Sequence, residues 1–260
     1  MAEVASLVSL TTLRLDVTDR GSGRPIVLLR GDEPPGASEA VIAALSRHGR
    51  VIAPWSPGFG RSDLPDAADS IEDAAYAQLD LLERMDIQDA ILVGVSFGGW
   101  VAAEIAVRNV SRISHMVLAG AFGLRVGAPT ERPIADLFAL SPEDLLARTY
   151  ADPEKGRWDV AAASDDDLLA FARGRDAQAR IGWDPYMHNP ALGRWLHRIE
   201  RPTLVLWGER DGIVSAELGR EYAARIPGAD FELVPGAGHL PHVEQPELFA
   251  RRIAAFAGLA

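Results

Sequence analysis

Residues 91–100, ILVGVSFGGW, place one serine among glycines where an apolar run gives way to a helical pattern. Ile91, Leu92 and Val93 read as a buried strand, and Ala102, Ala103, Ile105 and Ala106 recur along one side of a helix. Gly94-Val95-Ser96-Phe97-Gly98 fits the G-x-S-x-G turn that exposes a nucleophilic serine between strand and helix. Small neighbours suit such a turn, because larger side chains would collide with the strand and helix backbones. The same glycines also suit an ordinary tight turn, so the pentapeptide needs partners before it means chemistry.

A serine hydroxyl is a weak nucleophile until a base takes its proton, and histidine titrates in the right range. The chain has six histidines. His48 falls at a helix end and His115 within a strand. His188 and His197 lie in or beside a helical stretch, where packing or at most substrate contact is expected. His239 lies in PGAGHLPHVEQPELF, a glycine-rich loop between the last strand and the last helix. Its rival is His242 in the same loop; His239 is preferred because it directly follows the glycines that free the loop. The base needs a carboxylate to orient it. Asp211, in LVLWGERDGIV, follows a strand; LAGAFG after the preceding strand holds no carboxylate, and Glu209 falls closer to its strand end.

The elements that must carry these residues alternate along the chain. Leu13, Leu15 and Val17 alternate as a strand. PIVLL (25–29), VIAP (51–54), ISHMVLAG (113–120), PTLVLWG (202–208) and DFELVP (230–235) are short apolar runs of the kind covered on both faces. Helical patterns occupy 38–48, 70–85 with Ser70 as N-cap, 215–226 and 246–257. This alternation predicts an α/β fold with a mostly parallel central sheet flanked by helices. Residues 124–196 break the rhythm with helical pieces and no convincing strand. The division read from this is a core of 1–123 and 197–260 with a helical insertion, 124–196, over the strand ends.

Composition narrows the function classes. With no cysteine, disulfides, thiolate zinc sites and a cysteine nucleophile are excluded. A formal net charge of −11 opposes a nucleic-acid or anionic-membrane surface. No apolar run reaches transmembrane length, and the N-terminus lacks the basic start and long apolar segment of a signal peptide. The expectation is a soluble, cytoplasmic protein, monomer or homodimer, acting on a small molecule without metal or organic cofactor.

Taken in order, PIVLLRG, RVIAPWSPGFGRSD, GVSFGG, PTLVLWGERD and GAGHLPHVEQPE make nearly the whole chain resemble the α/β-hydrolase superfamily. The resemblance implies Ser96 as nucleophile, His239 as base and Asp211 as its orienting acid. It also implies an oxyanion hole from the backbone amides of Phe97 and Asp32. The 124–196 insertion is similar to the helical cap of esterases and C–C bond hydrolases. A serine at the turn argues against the haloalkane dehalogenase and epoxide hydrolase branches, which use aspartate there. The implied activity is hydrolysis of an ester-like carbonyl through an acyl-enzyme. Two alternatives stand beside it: C–C bond hydrolysis of a vinylogous diketone, to whose oxyanion loop PPGAS (34–38) is similar, and a non-catalytic ligand receptor.

Two positions depart from the family pattern. Arg30-Gly31 stands where most relatives have His-Gly; Arg30 either pairs with Asp32, Glu33 or a backbone carbonyl, or meets a substrate carboxylate. Trp55 stands where many relatives have aspartate, and either stacks at the sheet edge or lines the pocket entrance. Phe122, Ile213 and Val214 on the core side, with Leu124, are the expected substrate contacts. On the insertion Trp183, Tyr186 and Met187 line the pocket or pack the insertion itself.

Overall fold

The computed structural model describes residues 4–31, 33–128 and 131–259. Among them, strands β1 (Val4–Ser9), β2 (Arg14–Gly21), β3 (Pro25–Leu29), β4 (Arg50–Pro54), β5 (Ala90–Val95), β6 (Ile113–Ala119), β7 (Thr203–Gly208) and β8 (Asp230–Val234) form one sheet. Its order is β1-β2-β4-β3-β5-β6-β7-β8. β2 pairs antiparallel with both β1 and β4, and every other pairing is parallel. The helices are α1 (Glu39–Leu45), α2 (Ile71–Arg84), α3 (Phe97–Arg108), α4 (Pro142–Thr149), α5 (Asp165–Gly182), α6 (Leu192–Trp195), α7 (Ala216–Arg225), α8 (Pro241–Glu244) and α9 (Pro246–Ala257).

The central strands are apolar on both sides because helices cover both sides. Ile91, Val93 and Val95 of β5 pack in one layer with Ile42 and Leu45 of α1 and Phe249 and Ile253 of α9. Leu92, between them in sequence, packs in the opposite layer with Leu81 of α2, Val101 of α3 and Tyr222 of α7. The two-residue period of a strand thus feeds two cores at once. The predicted elements fall where expected to within a few residues. Ser70 caps α2 as anticipated: its Oγ accepts from Asp73 N–H at 3.1 Å, and Asp73 reaches back to the Ser70 amide. The loop around His239 is not wholly a loop, because Pro241 opens the short helix α8.

After β3 the chain moves to β4 on one side; after β5 it moves to β6 on the other. The carboxyl ends of β3 and β5 are therefore neighbours at a point where the winding reverses, with Leu29 registered against Gly94. Such a reversal leaves a crevice above the strand ends, the usual ligand position in open α/β sheets. Ser96 follows β5 at this crevice, and Gly31 follows β3.

Between β6 and β7 the chain carries α4, α5 and α6 and, among the described residues, no strand of the sheet but only isolated β-bridges, Gly123 with His188 inside the segment and Ile134 with Val214 beyond it. It leaves and returns at one place, since Gly123 N–H donates to Met187 O and Asn189 N–H to Gly123 O, each at 3.0 Å. Asn189 is then tied to the core through Glu104, a carboxylate of α3 that is 1% exposed. Glu104 accepts from Trp100 Nε1 (3.1 Å), Asn189 Nδ2 (2.9 Å) and Arg108 Nη1 (2.5 Å), while Asn189 Nδ2 also donates to Glu72 of α2 (3.0 Å). A buried charge is tolerated when paired and fully hydrogen-bonded, as here. Removing it strands the donors. Glu104→Ala is expected to lose about 3–5 kcal/mol of stability, measured by urea unfolding, with Glu104→Gln losing less because it retains the acceptor for Trp100 or Asn189.

Candidate active site

Ser96 stands between strand and helix with φ 55° and ψ −121°, a region that side-chain-bearing residues rarely occupy. Such backbone costs of order 1–3 kcal/mol and persists only where its surroundings hold it. They do so here: Ser96 N–H donates to Ala119 O at 2.9 Å, and Ser96 O accepts from Gly99 and Phe122. The glycines answer to close approach. A Cβ on Gly98 would lie 2.3 Å from the Leu29 carbonyl of β3, and one on Gly94 would lie 2.6 Å from Ala102 Cβ. Only glycine lets the helix begin this close to the strands.

His239 Nε2 lies 2.9 Å from Ser96 Oγ, and its Nδ1 lies 2.9 Å from Asp211 Oδ2. A carboxylate only accepts, so Nδ1 carries the proton and Nε2 is left to accept from the serine. Asp211 is itself oriented by the turn that follows it: its Oδ1 accepts from Ile213 N–H (2.9 Å) and Val214 N–H (2.8 Å). The side chains of His239 and Asp211 are 4% and 1% exposed. Water competes little for this chain of hydrogen bonds, which strengthens it. The Phe122 ring flanks the imidazole at 5.5 Å between centroids.

The loops that carry His239 and Asp211 are fastened to the segment between β6 and β7. His239 N–H donates to Thr149 O at 2.7 Å, and Gly212 N–H to Arg148 O at 3.0 Å. Glu244, at the end of α8, is nearly as important and was not singled out from the sequence. Its buried carboxylate accepts from Gly238, Ala151 and Asp152 N–H at 2.5, 2.9 and 3.1 Å. No signal in HVEQPE marks it, since a carboxylate among polar neighbours reads as part of a solvated loop.

Phe97, first residue of α3, has an amide with no acceptor inside its own helix. A Cβ on Gly31 would lie 3.3 Å from Ser96 Oγ and 3.5 Å from Phe97 N, so Gly31 and this amide border the same space. The buried Phe97 ring, between Phe59 (5.2 Å) and Trp100 (6.0 Å), holds the amide in place. Asp32, expected to supply a second amide, lies outside the described residues.

The two departures from the family pattern are one feature. The Arg30 guanidinium lies over the Trp55 ring at 3.8 Å and donates from Nη2 to Ala53 O at 3.2 Å. Burial lowers the pKa of Arg30, opposed by the carboxylates of Glu33, Glu39 and Asp16. Glu33 is held in turn by Ser38 Oγ, which donates to it, and by His242 Nε2 at 3.1 Å. Burial alone would raise the Glu33 pKa, but His242, Arg30 and Ser38 together keep it below the ordinary carboxylate range. His242, the rival for the base, is thus committed to Glu33 and fully buried.

A cavity of about 410 Å³ opens at Ser96 and His239. Phe122, Ile213 and Leu240 line it from the core; Leu137, Leu145, Leu146, Trp158 and Phe171 line it from the segment between β6 and β7. Phe122 and Ile213 therefore stand where the sequence expected. Four residues do not border this cavity: Arg30, Val214, Trp183 and Leu124. Arg30 is turned away onto Trp55 and borders a neighbouring compartment. Val214 is buried, its amide serving Asp211 and its carbonyl accepting from Trp207 Nε1 at 3.0 Å. Trp183, just past α5, is 60% exposed and packs on Phe138 beside a separate surface cleft with Leu124, Tyr186 and His188. The remaining histidines are elsewhere: His115 contacts Arg24 and Phe256, and His197 stacks near Trp195.

No helix among the described residues is long and apolar enough to cross a membrane. The 2-hydroxymuconate semialdehyde hydrolase of Pseudomonas putida is 28% identical over 264 residues, covering 94% of this chain and 90% of that one. A 2-hydroxy-6-oxo-6-phenylhexa-2,4-dienoate hydrolase of Burkholderia cepacia is 25% identical over 272 residues, covering 93% and 90%. Among solved structures, a meta-cleavage product hydrolase from Pseudomonas fluorescens IP01 matches with a TM-score of 0.81 at 22% identity over 98% of both chains. An esterase from Thermogutta terrifontis matches with a TM-score of 0.72 at 25% identity, again over 98% of both. The family model described as alpha/beta hydrolase matches residues 26–252, and with the sheet order and the strained serine turn already in view, the chain belongs to the alpha/beta hydrolase family.

Proposed function

We propose that this protein is a serine hydrolase that cleaves an ester-like carbonyl substrate of small size through an acyl-enzyme. The observation that carries the reading is the hydrogen-bonded series Ser96–His239–Asp211, buried except where Ser96 opens into an apolar cavity. His239 Nε2 takes the Ser96 proton as Oγ attacks the carbonyl carbon. The negative charge that develops on the carbonyl oxygen is met by the Phe97 amide, with the Asp32 amide as the proposed second donor. As the tetrahedral intermediate collapses, His239 returns the proton to the departing alcohol. Water then attacks the acyl-enzyme with His239 again as base, releasing the acid and restoring Ser96. Asp211 stabilises the imidazolium formed in each half. Residues 124–196 act as a cap in this reading: they wall the acyl or alcohol pocket and hold the His239 and Asp211 loops.

A second reading is hydrolysis of a C–C bond beside a ketone, with the same residues. It is favoured by the similarity to 2-hydroxymuconate semialdehyde hydrolase. A panel of p-nitrophenyl esters assayed beside a vinylogous diketone decides between them. Ester turnover is expected to dominate; diketone turnover exceeding it by about a hundredfold or more, on the order of one oxyanion-donor effect, reverses the order.

Ser96→Ala is expected to abolish fluorophosphonate labelling and lower kcat by about a millionfold, with the circular dichroism spectrum unchanged. Retained labelling or turnover refutes the assignment, and a wild type that is never labelled points to a ligand receptor instead. Asp211→Asn keeps the shape but presents the wrong hydrogen-bonding partner to His239, and is expected to cost about 10,000-fold in kcat with little change in KM, read from steady-state kinetics.

A further inference from the structure

Beside the cavity at Ser96 lies a second compartment of about 210 Å³, with an apolar side formed by Trp55, Phe59, Pro35 and Ala170 of α5 and a charged side formed by Asp16, Arg30, Glu39, Arg61, Asp166 and Asp167. Among the described residues the two spaces share two lining residues, Glu33 and Phe171. These two side chains are therefore the partition between them. Glu33 cannot yield: it is 6% exposed and held by Ser38 and His242. Phe171 is different. It is half-buried on the inner side of α5, and its ring contact is edge-on to Trp158 at 5.2 Å. No polar bond holds it, since a phenyl ring offers none.

We propose that Phe171 sets the length of the apolar chain this site accepts, by walling the second compartment off from the Ser96 cavity. The inference rests on reading Ser96 as the hydrolytic nucleophile, and it names the substrate class as esters whose apolar chain ends against this ring. With the phenyl group present, a chain running from Ser96 along Leu145, Leu146 and Trp158 meets the ring and stops. Without it, the same chain continues over Phe59 and the face of α5 at Ala170 and Gly174. α5 has ties that do not involve this ring, since Arg173 Nη2 donates to Ser62 O at 2.8 Å and Arg175 Nη2 to Leu137 O at 3.1 Å, and these remain when Phe171 is trimmed.

The test compares wild type, Phe171→Ala and Phe171→Trp on p-nitrophenyl alkanoates and on alkyl acetates, each from short to long chains. Burying one further methylene is worth about fourfold. Phe171→Ala is expected to move the optimum of kcat/KM to longer chains in one of the two series, rising about fourfold per added methylene beyond the wild-type limit. Phe171→Trp moves the optimum the other way. Adding A170F to the Phe171→Ala protein refills the compartment and cancels the gain. The same chain lengths are also bound to Ser96→Ala proteins with and without Phe171→Ala, by displacement of the apolar dye N-phenyl-1-naphthylamine. A wild type without turnover refutes the hydrolase reading, while this binding arm still decides the wall. Identical chain-length profiles, a parallel loss at every length, or a gain that survives A170F overturns the proposal.

Discussion

The site depends on one close approach, between the first turn of α3 and the end of β3. Gly98 lies against the Leu29 carbonyl at a distance that excludes any Cβ. That approach forces the chain to turn within a single residue, and Ser96 absorbs the turn with positive φ. Three consequences follow from the same geometry. The hydroxyl stands clear of both elements, the Phe97 amide is left without a helical acceptor, and Gly31 arrives beside both. Widening the gap to relieve the strain would lose all three together, because a helix cannot start further from the strand and still aim its first amide at the crevice.

The segment between β6 and β7 does more than cover this arrangement. The loop of His239 has few apolar anchors of its own, so its backbone polar groups need partners elsewhere. Thr149 supplies one to His239, Arg148 supplies one to Gly212, and Glu244 clamps Gly238 to Ala151 and Asp152. The base and its acid are thus held from above by α4 as well as from below by β7 and β8. Glu104 closes the far end of the same segment onto α2 and α3. Substrate pocket and acid–base machinery share one scaffold, and a shift in α4 moves both.

On the other side of Ser96 the supports are charged and buried. Arg30 and Trp55 each depart from the family pattern, and together they form a cation–π stack whose charge is answered by Glu33. Glu33 brings in His242 and Ser38. The result is a buried charged group behind the Gly31 loop in which each member is tied to another. Such groups hold a loop in one place when complete and weaken it when any member is removed.

Much of this was legible in the sequence, for a physical reason. Strands covered on both faces must be short and apolar throughout, and helices must repeat on one side, so β3 to β8 and α2, α3, α7 and α9 declare themselves locally. Ser96, Asp211 and His239 were legible because each sits in a loop whose glycines and neighbours serve no other purpose, and the structure brings the three within hydrogen-bonding distance. Glu33 was among the partners expected for Arg30, but Glu244 and His242 were not legible as partners, since the fold alone brings Ala151 to Glu244 and Glu33 to His242. Trp183 and Val214 show the opposite case: their residue types suit a pocket, but the chain turns one to solvent just past α5 and buries the other in the turn that caps Asp211. The sequence alone determined the two-sided sheet and the order of reactive groups along it, because these follow from local periodicity and turn chemistry. Only the tertiary structure decided which apolar side chains wall the cavity, and that Phe171 and Glu33 divide it, because neighbours distant in sequence depend on how α4 and α5 pack over the strand ends.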